Sequence, residues 1–428
     1  MLNRDQDLFV DAVAARAGRS ARFTMATVAG CNRLFIGLCV LTLLVQTVWF
    51  SVPTGDPNPR TFADFDAFYL AAQMVWRGEF QEAYDFSMFT RAQESFFGAP
   101  RFLPWAYPPQ FGLFIAPLAI VPYGAAYGLF TAATLIAYLL VLKRLAGEGF
   151  AVVSLVSSPA ILVTILCGQN GFLTGTLIGL TCIAVQNRRA SAGLPLGLMI
   201  IKPHLAVAYA VYMVMTRRWA VTFVSATTVA ATSILTTVLL GTDVWPAFVT
   251  GAEEARTFLR EGTYPVFRMI SPYAALRSFG ASATAAFVGQ AIVAALALAM
   301  VCFLARRQLP PRQALGFTAI ASLLISPYGY DYDLPILGVG LALLLPDVLR
   351  WGNRREQAAI LAFSFVTGLI GLLQTFLRLK APVESILTAG DNMALSVAGL
   401  TLLTVLGLTF RILRRSRKLD GRQHQNQP

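Results

Sequence analysis

Four short polar stretches interrupt an otherwise apolar chain, and each carries groups that could do chemistry. The first is Asp64, near the start of Thr61 to Phe80, TFADFDAFYLAAQMVWRGEF. On a helix, Phe65, Phe68, Tyr69, Ala72, Val75 and Trp76 share one side, Asp64 sits at its margin, and Asp66 points further toward water. A carboxylate held beside an aromatic face can serve as a general base. Thr61-x-x-Asp64 also has the spacing of a capping box, which would make the same acid a helix cap. The second stretch, Gly168-Gln169-Asn170-Gly171, breaks an apolar run with two amides: either a plain turn, or donors for sugar hydroxyls or phosphate. The third, Lys202-Pro203-His204, puts a lysine inside an apolar segment. That placement costs roughly 2.5 to 3.5 kcal/mol on insertion scales and points to function unless the side chain snorkels. The fourth, Ser326-Pro327-Tyr328-Gly329-Tyr330-Asp331-Tyr332-Asp333, sets two acids among three tyrosines before another apolar run. Part of it reads equally well as an interfacial aromatic belt with a capping aspartate.

The elements that must position these groups are membrane helices. The 428 residues are 56% hydrophobic and 13% charged, against about 25% charged in soluble domains. Mean hydropathy is +0.62, and stretches near the roughly 20 apolar residues of a bilayer span recur along the chain. The net charge of +12 is distributed in short groups at segment ends: Arg188-Arg189, Arg217-Arg218, Arg306-Arg307, Arg354-Arg355 and Arg411 to Lys418. This is the positive-inside pattern and argues against a nucleic-acid partner. The five cysteines lie in or beside apolar segments without paired spacing, so they read as packing residues. With only two histidines, the chain has little from which to build a zinc site. Neither G-x-x-x-x-G-K-[ST] nor G-x-G-x-x-G occurs, so a soluble-type nucleotide site is unsupported.

In order, residues 1–29 are a polar, Arg-rich cytoplasmic lead, too long and polar for a cleaved signal peptide. Residues 30–413 form one integral domain, and 414–428 a basic cytoplasmic tail. Within the domain, 51–106 is a first outer loop with interfacial helices, including a short one near Phe86 to Phe97. Residues 241–281 form a second outer loop. From Trp219 onward, the basic groups place the loops at 241–281, 326–333 and 378–391 on one face and both termini on the other. Between 107 and 216 the charges do not choose between short spans and re-entrant halves. The expected fold is an all-α polytopic bundle of ten to thirteen transmembrane or re-entrant helices, without an internal repeat.

The order and spacing of these motifs resemble glycosyltransferase family 87. The matching pieces are Asp64-Phe65-x-x-Phe68-Tyr69 with Ala71-Ala72, Gly78, Tyr84-Asp85, Tyr107-Pro108-Pro109, Gly168-Gln169-Asn170-Gly171, Lys202-Pro203 and Asp331-Tyr332-Asp333-Leu334. The chain departs from the family where relatives tend to carry histidines at 331 to 333 and a Gln after Lys-Pro. The resemblance implies a GT-C-type fold in a bacterial inner (plasma) membrane and a periplasmic site. It also implies a polyprenyl-phosphate sugar as donor and Asp64 as the catalytic base.

On that reading an inverting transfer moves a hexose, such as mannose, to a lipid- or glycan-linked acceptor. A lipid phosphate leaves without a general acid, so one carboxylate suffices. Lys202 is the first candidate to stabilise the phosphate, with Arg101 and Arg268 behind it. Gln169, Asn170, Tyr69, Tyr107, Tyr328, Asp331 and Asp333 are candidates to orient donor or acceptor. No cofactor and no metal are expected, although Asp331 and Asp333 have the chemistry to hold a divalent ion. The competing class is a secondary transporter or lipid-sugar flippase, which paired broken helices in two repeated halves would favour.

Overall fold

A computed structural model describes residues 19–52, 64–98, 102–378 and 394–425. Among these the chain is helical, with no strand and a single antiparallel backbone bridge, Met269 to Tyr330. Five segments are long and apolar enough to cross a membrane: Ala26–Ser51, Tyr123–Val156, Trp219–Leu240, Ala283–Arg306 and Arg354–Leu377. They belong to α1 (Arg19–Ser51), α5 (Tyr123–Ala146) running on into α6 (Phe150–Val156), α11 (Trp219–Leu240), α14 (Ala283–Arg306) and α17 (Arg354–Arg378). Their outer faces stay apolar, with Leu34, Leu44 and Val48 exposed on α1 and Phe223, Ile234 and Val238 on α11. Water would not tolerate such continuous surfaces, whereas lipid tails do. This is an all-α polytopic membrane protein.

Shorter helices fill the bundle. These are α2 (Asp64–Arg77), α3 (Phe86–Phe97), α4 (Pro109–Ile115), α7 (Ser158–Cys167), α8 (Gly171–Gln186), α9 (Gly193–Leu198), α10 (Pro203–Met215), α12 (Val244–Glu261), α13 (Pro272–Ser278), α15 (Pro311–Ser322), α16 (Pro335–Trp351) and α18 (Ala398–Gln425). Helix α16 is buried almost throughout from Pro335 to Val348, packed against α15, α5, α8 and α18. A helix apolar all round belongs at the centre, and this one is the axis of the bundle.

Prolines set the breaks. Pro122 precedes the first residue of α5 and ends the 3-10 turn Ala116–Ile120 that follows α4. Neighbouring residues of α2 touch both ends of this piece, Phe68 on Tyr107 and Tyr69 on Val121 and Tyr123, and Ser51 abuts Gly124 at the same level. Residues 109–120 therefore dip in and return. Lys202, with φ −142° and ψ 71°, and Pro203 separate the 3-10 turn Met199–Ile201 from α10. The opposite ends of these two pieces lie together: α9 approaches the start of α11 through Gly193 and Val221, and Arg218 reaches the Val185 carbonyl. Both ambiguous stretches between 107 and 216 are thus pairs of short helices whose outer ends lie together, at opposite ends of the bundle.

Of the loops expected on one face, 241–281 and 326–333 meet each other, and 378–391 lies outside the described residues apart from Arg378. Ile270 donates to the Gly329 carbonyl at 2.8 Å, Ser396 Oγ to the Met269 carbonyl at 2.9 Å, and the Phe86 amide to Glu254 at 3.1 Å. At the other end Arg312 pairs with Asp347, and Arg411 and Arg415 with Glu356. The five cysteines are all free, and Cys39, Cys167 and Cys182 are buried.

Candidate functional site

The four polar stretches converge at the end of the bundle formed by the connected loops. Helix α2 begins at Asp64, which puts its carboxylate in the first turn, where the helix dipole favours negative charge. Thr61, the other half of the expected capping box, lies outside the described residues. Below Asp64, Phe68 meets Phe111 and Tyr107 edge-on at 5.0 and 5.4 Å, so the start of the helix stands on an aromatic floor.

The expectation for Asp66 is corrected. It does not face water: it is wholly buried and accepts a hydrogen bond from the Tyr123 hydroxyl. The reason is that α2 lies between the bundle and the segment 116–123, which leaves its first two turns no free side. Trp76 is corrected in the opposite sense. It is 64% exposed, although its indole N–H donates to the Ala116 carbonyl at 2.7 Å.

Gly168 closes α7 in the left-handed conformation, φ +64°. A Cβ there would lie 2.8 Å from Phe65 and Tyr127, so glycine is needed both for the turn and for the approach of α2. Gln169 follows. Its Oε1 accepts from the Tyr107 hydroxyl at 3.0 Å and from the Asn170 amide at 3.2 Å. Burial raises the Tyr107 phenol well above its ordinary value, so it stays a donor. With Oε1 fixed in this way, Gln169 Nε2 is directed at Asp64 Oδ1, 3.5 Å away. The Asn170 side-chain amide is fully buried, and neither of its polar atoms has a hydrogen-bond partner among the described residues.

Asp331 and Asp333 lie in a 3-10 turn, Asp331–Asp333, leading into α16. Asp331 takes Arg268 in a two-pronged pair, Nη2 to Oδ1 at 3.0 Å and Nε to Oδ2 at 3.2 Å. Asp333 caps its own turn through the Tyr330 amide and accepts Lys202 Nζ at 2.7 Å. Gly371 on α17 gives Asp331 its room, because a Cβ there would run into the carboxylate. Gly171 does the same for the turn, since a Cβ would strike the Tyr332 carbonyl.

Arg268 joins the two halves. Besides Asp331 it faces Asp64 Oδ2 at 3.5 Å through Nη1 and donates to Cys167 Sγ at 3.0 Å. Burial alone would lower the guanidinium's pKa; Asp331 and Asp64 more than offset this and hold it well above its ordinary value. The Tyr332 ring lies under both cations, 4.8 Å from Lys202 Nζ and 5.6 Å from Arg268 Cζ.

Asp64, Gln169, Lys202, Tyr107, Arg268, Asp331 and Asp333 thus form one connected network, with Asn170 beside it. Tyr69 and Tyr328 are not joined to it. Tyr69 donates to the Val121 carbonyl at 3.1 Å and packs on Tyr123, while Tyr328 packs against Tyr264 over the loop 262–273. Arg101 lies outside the described residues. Sequence reasoning passed over Tyr332 as a cation platform and Cys167 as an acceptor, although both sit inside or next to motifs it singled out. Among the described residues, no group of three or more His, Cys, Asp and Glu is placed to hold a metal ion. Lys202 and Arg268 stand among the three aspartates.

A bundle of long and broken apolar helices with a buried charged network at one end defines a polytopic membrane protein with an enzyme-like site. Residues 105–327 match the model of glycosyltransferase family 87, and the chain belongs to that family. It is a membrane glycosyltransferase. The matched span contains Tyr107, Gln169, Asn170, Lys202 and Arg268; Asp64, Asp331 and Asp333 lie beyond its ends and join these residues in the folded chain. No curated protein and no solved structure matches the chain.

Proposed function

We propose that the protein transfers a hexose, with inversion, from a polyprenyl-phosphate sugar to a lipid- or glycan-linked acceptor on the outer face of a bacterial inner membrane, with Asp64 as base. The observation that carries this reading is the unequal engagement of the three acids. The Asp331 and Asp333 side chains are 1% exposed and closely paired, whereas the Asp64 side chain is 16% exposed with both of its contacts at 3.5 Å. Asp64 is the carboxylate free to take a proton.

In the step, the acceptor hydroxyl oxygen bonds to the anomeric carbon as its proton passes to Asp64. The bond from that carbon to the phosphate oxygen breaks, and the phosphate keeps the electron pair. Gln169 and Arg268 orient Asp64 from its two oxygens. Of the three N–H bonds of Lys202, only the one to Asp333 has a hydrogen-bond partner among the described residues, which leaves two for the departing phosphate.

The test is a screen of radiolabelled polyprenyl-phosphate sugars with the full chain in proteoliposomes, for wild type and Asp64→Asn. Label should appear in a new glycosidic product with wild type alone. Label crossing the bilayer with its phosphate bond intact, or transfer only from nucleotide sugars, would overturn the reading.

A further inference from the structure

A polar cavity lies at the end of the bundle opposite the candidate site, where the last turns of α10 and α14 meet the start of α15. Its volume is about 360 Å³, and its wall includes Tyr212, Thr216, Arg217, Arg218, Arg306 and Gln308. Helix α10, about 20 Å long, separates it from Lys202.

The wall is unbalanced in charge. Elsewhere on this face arginines meet acids, as Arg312 does with Asp347 and Arg415 with Glu356. Arg217, Arg218 and Arg306 form no ion pair among the described residues, and no acid lines the cavity. Arg218 reaches the Val185 carbonyl only at 3.4 Å, and its Nε is buried without a partner. The backbone at the rim is unusual too. Arg217 and Gln308 have φ of 54° and 52°, in the left-handed region that favours glycine. Long polar side chains therefore stand at two places where the turn itself would be better served without them. The helices that start and end at the cavity carry exposed apolar side chains: Trp219 and Phe223 on α11, which follows Arg218, and Leu296 and Phe303 on α14, which ends at Arg306.

We propose that this cavity binds the phosphate of an anionic lipid headgroup, with the arginines on the phosphate oxygens and the acyl chains along α11 and α14. Guanidinium forks match phosphate geometry. Basic pockets between membrane helices hold such headgroups, and Trp219 marks the interfacial level at which a phosphate sits. The site is independent of the sugar-transfer reading.

The full chain is reconstituted in phosphatidylcholine nanodiscs containing a minority of phosphatidylglycerol, and retained lipid is counted by native mass spectrometry. Three proteins are compared: wild type, Arg217→Gly with Arg306→Gln, and Arg350→Gln. Glycine at 217 removes the charge without opposing the backbone. Arg350 is an exposed base of the same face, lying over the Trp351 ring and outside the cavity. Wild type and Arg350→Gln should retain phosphatidylglycerol over phosphatidylcholine. The double variant should lose that preference by on the order of five-fold per arginine, while unfolding like wild type in pure phosphatidylcholine. Equal retention by the double variant, or an equal loss in Arg350→Gln, overturns the site. Displacement of the lipid from wild type by millimolar inorganic phosphate overturns the lipid as its occupant.

Discussion

Replacing Asp64 or Asp331 by Asn removes one negative charge from the same guanidinium, and the two substitutions should have opposite signatures. Asp64 meets Arg268 at 3.5 Å and Gln169 at 3.5 Å with its side chain 16% exposed. A partly exposed pair at that distance is worth about 0–1 kcal/mol, and the amide oxygen of the substituted side chain keeps one of the two contacts. Stability of Asp64→Asn should therefore hold to within about 1 kcal/mol. Loss of a general base costs about 10²- to 10⁴-fold, and this loss should fall on kcat, because the proton moves in the transition state. Asp331 instead holds Arg268 through two bonds at 3.0 and 3.2 Å with its side chain 1% exposed. Breaking one partner of a buried pair costs about 3–5 kcal/mol, so Asp331→Asn should lower Tm markedly and lose activity with it. Both variants are assayed in proteoliposomes for label transfer and in detergent for thermal unfolding. An Asp64→Asn protein that unfolds like wild type yet keeps more than about a tenth of kcat refutes the base assignment. If it is destabilised as much as Asp331→Asn, Asp64 is an anchor of the loops and not a reactive group.

Three further outcomes follow from the same geometry. Lys202→Met leaves Asp333 buried with the Tyr330 amide but no cation, at a cost of about 3–5 kcal/mol in unfolding. Adding Asp333→Asn should restore most of that stability while transfer stays low, since no cation replaces the ammonium; recovery of activity in the double variant would remove Lys202 from phosphate binding. Gly171→Ala should destabilise the protein by about 1–3 kcal/mol or more, because its Cβ meets backbone at Tyr332 that cannot swing aside, and Tm is the readout. Tyr69→Phe should cost about 1 kcal/mol through the lost bond to Val121 and leave kcat/KM for transfer close to wild type, which distinguishes a scaffold tyrosine from one that touches sugar.

The helices and the four polar stretches were legible because lipid imposes a simple code: apolar length gives spans, and prolines and charges give their ends. Lys202-Pro203 and Gly168 to Gly171 broke helices where the sequence put the breaks. The pairings were not legible. Lys202 as a free cation and Lys202 bound to Asp333 leave the same trace in sequence, because the partner is 131 residues away. Asp66 misled for a related reason. A helical wheel weighs one helix against water, and α2 has protein on both sides at that level, so the residue placed toward solvent is the one hidden by Tyr123. Residues 109–120 and 190–215 stayed ambiguous because hairpins of short helices and short spans have the same apolar length.

The bridge between Met269 and Tyr330 also has a consequence in time. Asp64 emerges from the ribosome early, whereas its partner Arg268 comes about 200 residues later and Asp331, which steadies Arg268, about 270 residues later, roughly 15–50 s at ordinary elongation rates. During that interval Asp64 and then Lys202 wait in or beside the membrane without the partners they have in the folded chain. A truncation between residues 268 and 331 would leave Arg268 without Asp331 and Lys202 without Asp333. The pairing of the two late loops is thus what brings Arg268 and Asp331 together, and a chain cut before it keeps those charges unmatched.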